Sequence, residues 1–150
     1  PQLRLAQEQV WRQTAHTGLA VMIDGGELDN IHPTDKQTVG ERLFAQAMRV
    51  AYGATAIPDS PRALYACPVG ACVEVMLDAP VTANGNAALF ELAGADGQFY
   101  PARAAMDGRI IRLTAEAVPE PVAARYAWVN YGITNVTGNS GLPLAPFWLA

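Results

Sequence analysis

Leu19-Ala20-Val21-Met22-Ile23, then Asp24-Gly25-Gly26, then Glu27-Leu28-Asp29-Asn30-Ile31-His32-Pro33: an apolar run, a break and a polar loop follow one another directly. The apolar run has the form of a strand buried on both faces of a parallel sheet. Before it, Leu3, Ala6, Val10 and Trp11 recur at helical spacing and predict an amphipathic helix over residues 3–15, with His16-Thr17-Gly18 as its stop. After the loop, Thr34 as N-cap, Asp35 in the first turn and the stripe Val39, Leu43, Ala47, Val50 predict a second helix over residues 35–51. Helix, buried strand, loop and helix together predict the C-terminal piece of a doubly wound α/β layer with a parallel sheet, whose other strands come from elsewhere.

Residues 54–62 hold two prolines and no periodicity, and read as a linker. Beyond it, short apolar or alternating runs fall at residues 64–69, 72–77, 88–92, 100–105, 110–114 and 125–129. Pro68-Val69-Gly70, Asn84-Gly85, Asp96-Gly97 and Asp107-Gly108 punctuate them, and Asx-Gly pairs between such runs signal hairpins. The pattern predicts a small antiparallel β-sandwich. The expected division is residues 1–57, α/β, and residues 58–150, β-sandwich.

A hydrophobic content of 51% with 16% charged residues is a globular composition. The net charge is −4, with one lysine (Lys36) and scattered arginines, so the clustered cations that bind a phosphate backbone are missing and no nucleic-acid partner is expected. No apolar run approaches the ~18 residues that span a bilayer, so no membrane partner is expected either. The first residues, Pro1-Gln2-Leu3-Arg4, are neither an initiator methionine nor a signal peptide, and the expectation is that they lie inside a longer protein. Cys67 and Cys72 suit equally a pair of thiols and a disulfide across a hairpin; with His16 and His32 distant in sequence, no metal site and no cofactor are expected.

Chemistry concentrates at Asp29 and His32. An Asp-x-x-His in a loop after a buried strand allows the aspartate to fold back and accept a hydrogen bond from the histidine Nδ1, leaving Nε2 free to take a proton from a serine. Pro33 restricts the backbone of His32 to extended conformations. Asp24 and Glu27, flanking this loop, read as solvated or backbone-bonded acids. Tyr126 and Trp128, two apart, are expected on one strand face as core, and Arg125 beside them is a candidate bridge between the two regions.

Gly25 to Gly53, with Asp29-Asn30-Ile31-His32-Pro33, Lys36, Val39-Gly40-Glu41-Arg42-Leu43 and Ala51-Tyr52-Gly53, resembles the last catalytic block of the sialate O-acetylesterase family of SGNH-type hydrolases. The helix with Gln7, Trp11, Arg12 and Gln13 is more loosely similar to that family's helix before its last sheet strand. Gly97–Ala102, Arg125–Asn130 and Gly141–Phe147 resemble its closing motifs. The resemblance implies His32 as general base and then general acid, with Asp29 as its orienting partner. It also implies a secreted, periplasmic or lysosomal setting.

The family's nucleophilic serine and oxyanion-hole Gly and Asn have no counterpart in these residues. Only two serines occur: Ser60 sits between Asp59 and Pro61, and Ser140 lies in Gly138-Asn139-Ser140-Gly141, where Leu142 and Pro143 exclude a nucleophile elbow. The expectation is therefore part of a serine carbohydrate O-acetylesterase, acting on an acetylated sugar or glycan. Its nucleophile and oxyanion hole are expected in an upstream segment or a partner chain that forms the N-terminal part of the same esterase. The alternative is a non-catalytic carbohydrate-binding or interaction module using the β region from Leu64 onward.

Overall fold

The computed structural model describes all 150 residues. Two helices, α1 (Gln2–Gln13) and α2 (Gln37–Tyr52), precede ten strands: β1 (Ala63–Val69), β2 (Cys72–Leu77), β3 (Val81–Ala83), β4 (Phe90–Ala93), β5 (Phe99–Pro101), β6 (Arg103–Asp107), β7 (Ile110–Thr114), β8 (Ala123–Tyr126), β9 (Val136–Gly138) and β10 (Phe147–Leu149). One sheet has the order β1-β2-β7-β6 and another the order β10-β8-β4-β5, while β3 and β9 form a separate pair. Every pairing is antiparallel.

The strands follow from alternation. Along β2, Val73, Val75 and Leu77 point inward and Glu74 outward, where it pairs with its cross-strand partner Arg112 on β7 at 2.6 Å. Ile111 and Leu113 of β7 meet Phe90 and Leu92 of β4 and Tyr126 of β8 in one core between the two larger sheets. Each large apolar side chain buried there contributes about 1.5–3 kcal/mol. The hairpin β6–β7 closes through Gly108 at φ 59°, and β1–β2 through Gly70 at φ 58°, conformations that cost glycine little. In that second hairpin Cys67 opposes Glu74 and Cys72 opposes Val69, so the two cysteines are out of register and remain free thiols.

The doubly wound parallel α/β layer is not the fold: the molecule is predominantly antiparallel β-sheet in a small sandwich-like arrangement, preceded by two helices that contribute no residue to its core. Leu19–Ile23 is not a strand and joins no ladder. A strand exists only where a neighbouring backbone completes its hydrogen bonds. Here arginine side chains take those carbonyls instead: Arg62 donates to Leu19 O at 3.2 Å and Arg42 to Val21 O at 2.6 Å. Val21 and Ile23 nonetheless bury their side chains in the same core as the strands.

The helices also depart from their sequence pattern. Neither buries a residue fully, and the apolar stripes face outward: Leu3 and Val10 on α1, Leu43 and Val50 on α2. Their inward faces are largely polar. On α1, Arg62 packs over the Trp11 ring at 4.2 Å, and Arg4 donates to the carbonyls of Ala127 (3.1 Å), Val129 and Asn130 (3.5 Å). On α2, Gln46 donates to Asp59 at 2.9 Å and Arg49 to Ile57 O at 2.5 Å. Gly18 does not stop α1, which ends at Gln13; it is a point of close approach, since a Cβ there would lie 2.7 Å from Gln46 Cβ.

Candidate active site

The loop from Asp24 to Lys36 carries the predicted acid–base pair, and its conformation is written in its side chains. Asp24 forms a two-pronged ion pair with Arg42 of α2, at 2.5 and 2.7 Å, and this bonding holds the Arg42 guanidinium above its usual pKa. Glu27 Oε1 accepts the Thr34 backbone N–H at 2.7 Å and the Thr34 hydroxyl at 2.8 Å, while Oε2 accepts from Asn30 Nδ2 at 2.8 Å. Asn30 Oδ1 accepts the backbone N–H of His32 at 2.9 Å, an Asx-type turn that sets the chain direction into the histidine. Backbone and side-chain hydrogen bonds from Thr34 and Asn30 hold the Glu27 carboxyl below its usual range. At the start of α2 it is Asp35, one residue before the N-cap Lys36, and not Thr34, whose side chain accepts a helix N–H, that of Thr38 at 3.0 Å.

Asp29 and His32 thus stand on one structured loop, and both are exposed. No hydrogen bond joins them. Leu28 and Ile31 beside them are also exposed, Ile31 to 91%. The loop forms an open cleft of about 560 Å³ with Asn130 and Tyr131; Leu28, Asn30 and Ile31 line it, whereas Asp29 and His32 lie outside the lining.

Neither serine reaches this cleft. Ser60 is 5% exposed, beside the buried Arg62, and Ser140 sits in the turn after β9, where the Gly141 N–H bonds to Gly138 O. No group of three or more His, Cys, Asp or Glu side chains converges as ion ligands do. The sequence leaves Glu27 as a solvated or backbone-bonded acid and marks neither its partner Thr34 nor the Asx turn of Asn30. It does not mark Arg4 at all, because nothing local marks an arginine whose partners lie more than 120 residues away.

Two other residues moved. Arg125 bridges no regions: it pairs with Glu91 within one sheet, at 2.7 and 3.1 Å. Tyr126 and Trp128 do not share a face. Strand β8 ends at Tyr126, and Ala127 adopts φ 52°, so Tyr126 stacks on Phe90 in the core while Trp128 meets Trp148 outside it.

No protein-family model matches the chain, and a search of curated proteins finds no match. A solved structure from Xanthomonas citri does match, with a TM-score of 0.93 and 36% sequence identity across 99% of this chain. That protein is a carbohydrate acetylesterase. Our chain spans 35% of the acetylesterase's length. The backbone course described above is thus shared with a solved relative over 99% of the chain.

Proposed function

We propose that this chain is the part of a carbohydrate O-acetylesterase that carries its acid–base pair, Asp29 and His32, with the nucleophilic serine and oxyanion donors supplied by residues outside these 150. The carrying observation is the 36% identity over 99% of the chain to a carbohydrate acetylesterase nearly three times as long. Two further features support it. The loop bearing Asp29 and His32 is tied down by Glu27 and Asn30 although it lies at the surface. The apolar stripes of both helices, together with Leu28 and Ile31, leave a surface that suits the remainder of such an enzyme.

In this reading His32 Nε2 takes the proton of the serine hydroxyl as its oxygen attacks the acetyl carbonyl. The same proton passes to the sugar oxygen as the ester bond breaks, leaving an acetyl-serine. His32 then deprotonates a water whose oxygen attacks the acetyl-serine, and it returns that proton to the serine oxygen as acetate leaves. Asp29 accepts a hydrogen bond from Nδ1–H and steadies the imidazolium, a contact that forms when the loop is covered and water is excluded. Acetyl esters on sialic acid are the substrate we assign first, with other acetylated sugars as the wider class.

The test is recombination. The 150-residue chain alone leaves a chromogenic acetyl ester intact, and addition of the upstream portion of the same polypeptide restores turnover. His32→Ala in the recombined protein lowers kcat by roughly 10³-fold or more, as loss of a triad base does. Turnover by the isolated chain that disappears in His32→Ala would place a nucleophile within these residues and overturn the division of labour.

A further inference from the structure

The outer face of the sheet β10-β8-β4-β5 carries side chains that the acid–base chemistry does not use. Trp148, Arg125 and Glu91 form one cross-strand row, since Arg125 is opposite both Trp148 on β10 and Glu91 on β4. Their sequence neighbours Phe147, Tyr126, Phe90 and Leu92 point into the core. Phe99 adds a ring at the edge, 5.4 Å from Trp148 at 86°, and Trp128 adds another, 4.8 Å from Trp148 at 80°. Trp148 is 42% exposed. Both neighbours meet it nearly at right angles, so no ring is lost to a face-to-face stack.

The polar member is equally specific. Arg125 lies over the Phe99 ring at 3.9 Å and directs Nε and Nη2 at the two oxygens of Glu91, leaving Nη1 without a partner in the chain. The pair is electrically neutral, so the face offers no net attraction to an anion. It offers instead a half-exposed indole walled by two rings, beside a rigid row of N–H donors and carboxylate lone pairs. We propose that this face binds a neutral glycan chain: the C–H face of a pyranose packs on Trp148, and its hydroxyls bond to Arg125 Nη1 and Glu91.

An apolar protein segment is the poorer occupant, because it would bury the Arg125–Glu91 pair without satisfying the free donors. Trp128 is three residues from Tyr131, no more than about 11 Å of backbone, and Tyr131 lines the cleft beside the loop of Asp29 and His32. Choosing a glycan as occupant rests on the acetylesterase reading; the row of residues itself does not.

Affinity electrophoresis of the 150-residue chain in gels containing acetylated xylan or acetylated glucomannan tests the proposal. The expected result is retardation by at least one polymer, with the Kd weakened about tenfold or more in Trp148→Ala and in Phe99→Leu, and partial retention in Trp148→Phe. Thermal unfolding confirms that each variant folds, and Phe99→Leu decides the matter if Trp148→Ala does not. Absence of retardation by both polymers overturns the proposal, as does equal retardation of the wild-type chain and the folded variants. Self-association that depends on Trp148, without glycan retention, overturns it in favour of a protein contact. Retention needs no hydrolysis, so a retained chain that never restores turnover keeps the platform and loses the esterase reading, and the converse holds.

Discussion

Glu27 closes the candidate catalytic loop on Thr34, one carboxylate oxygen accepting both the backbone N–H and the hydroxyl of that residue. Its other oxygen holds Asn30, whose own side chain fixes the N–H of His32. The His32 backbone is therefore held, through Asn30, by an acid five residues ahead of it.

Replacing Glu27 by Gln removes the charge and one acceptor geometry but keeps the shape. In the recombined esterase we expect kcat to fall roughly ten- to hundredfold with little change in KM, because a loop displaced by about 1 Å misplaces the base. In the isolated chain the amide resonances of Thr34 and His32 shift while those of the β-strands stay in place. An unchanged kcat would deny Glu27 its positioning role.

The same carboxylate sets a pH dependence. Its folded pKa lies below the ordinary 4.5, so its contribution to the loop is complete above that value and is lost as pH falls through the depressed pKa. The Thr34 amide shift should titrate with a midpoint below 4.5, and the titration should vanish in Glu27→Gln. A midpoint at or above 4.5 would mean that the hydrogen bonds do not hold in solution.

Arg4 anchors the start of α1 to three successive parts of the chain, the carbonyls of Ala127, Val129 and Asn130. Arg4→Ala is expected to cost about 1–3 kcal/mol, the range for charged hydrogen bonds, measured by urea unfolding. Arg4→Lys should recover only part of this, since an ammonium lacks the planar fork that spans separate acceptors. Full recovery would reduce the contact to a simple charge effect.

Tyr126 is fully buried and stacked 4.5 Å from Phe90, and its hydroxyl makes no well-formed hydrogen bond, with the equally unpaired Thr134 hydroxyl as its neighbour. Burial accordingly pushes its pKa well above the usual value. Tyr126→Phe keeps the ring and removes the orphaned group, so stability should be unchanged or raised by about 1 kcal/mol. A loss exceeding about 1 kcal/mol in denaturant unfolding would reveal a partner for that oxygen.

How much of this was legible beforehand depends on range. Cys72–Leu77 and Ile110–Thr114 were read to the residue, because alternation and an adjoining Gly turn are both local signals. The strands Val81–Ala83, Val136–Gly138 and Phe147–Leu149 were missed, since three residues are too few to show a period. Glu27 reads equally as a solvated or a backbone-bonded acid, and nothing local names Thr34 as the backbone it meets.

By itself the sequence determined the local grammar: where chains turn, which strand faces are apolar, that Asp29 and His32 share one loop, and that neither serine sits in a nucleophile-elbow pattern. Tertiary structure alone decided what each apolar run packs against. Leu19–Ile23 has the composition of a buried strand, but a ladder needs a second backbone, and Arg42 and Arg62 occupy its carbonyls instead. Most of the helix stripe residues likewise stay exposed, with only Trp11 and Val39 half-buried, because periodicity states which face is apolar and not whether anything covers it. Trp128 left the core for a sheet's outer face through one left-handed residue, Ala127, a conformation that no side-chain pattern announces.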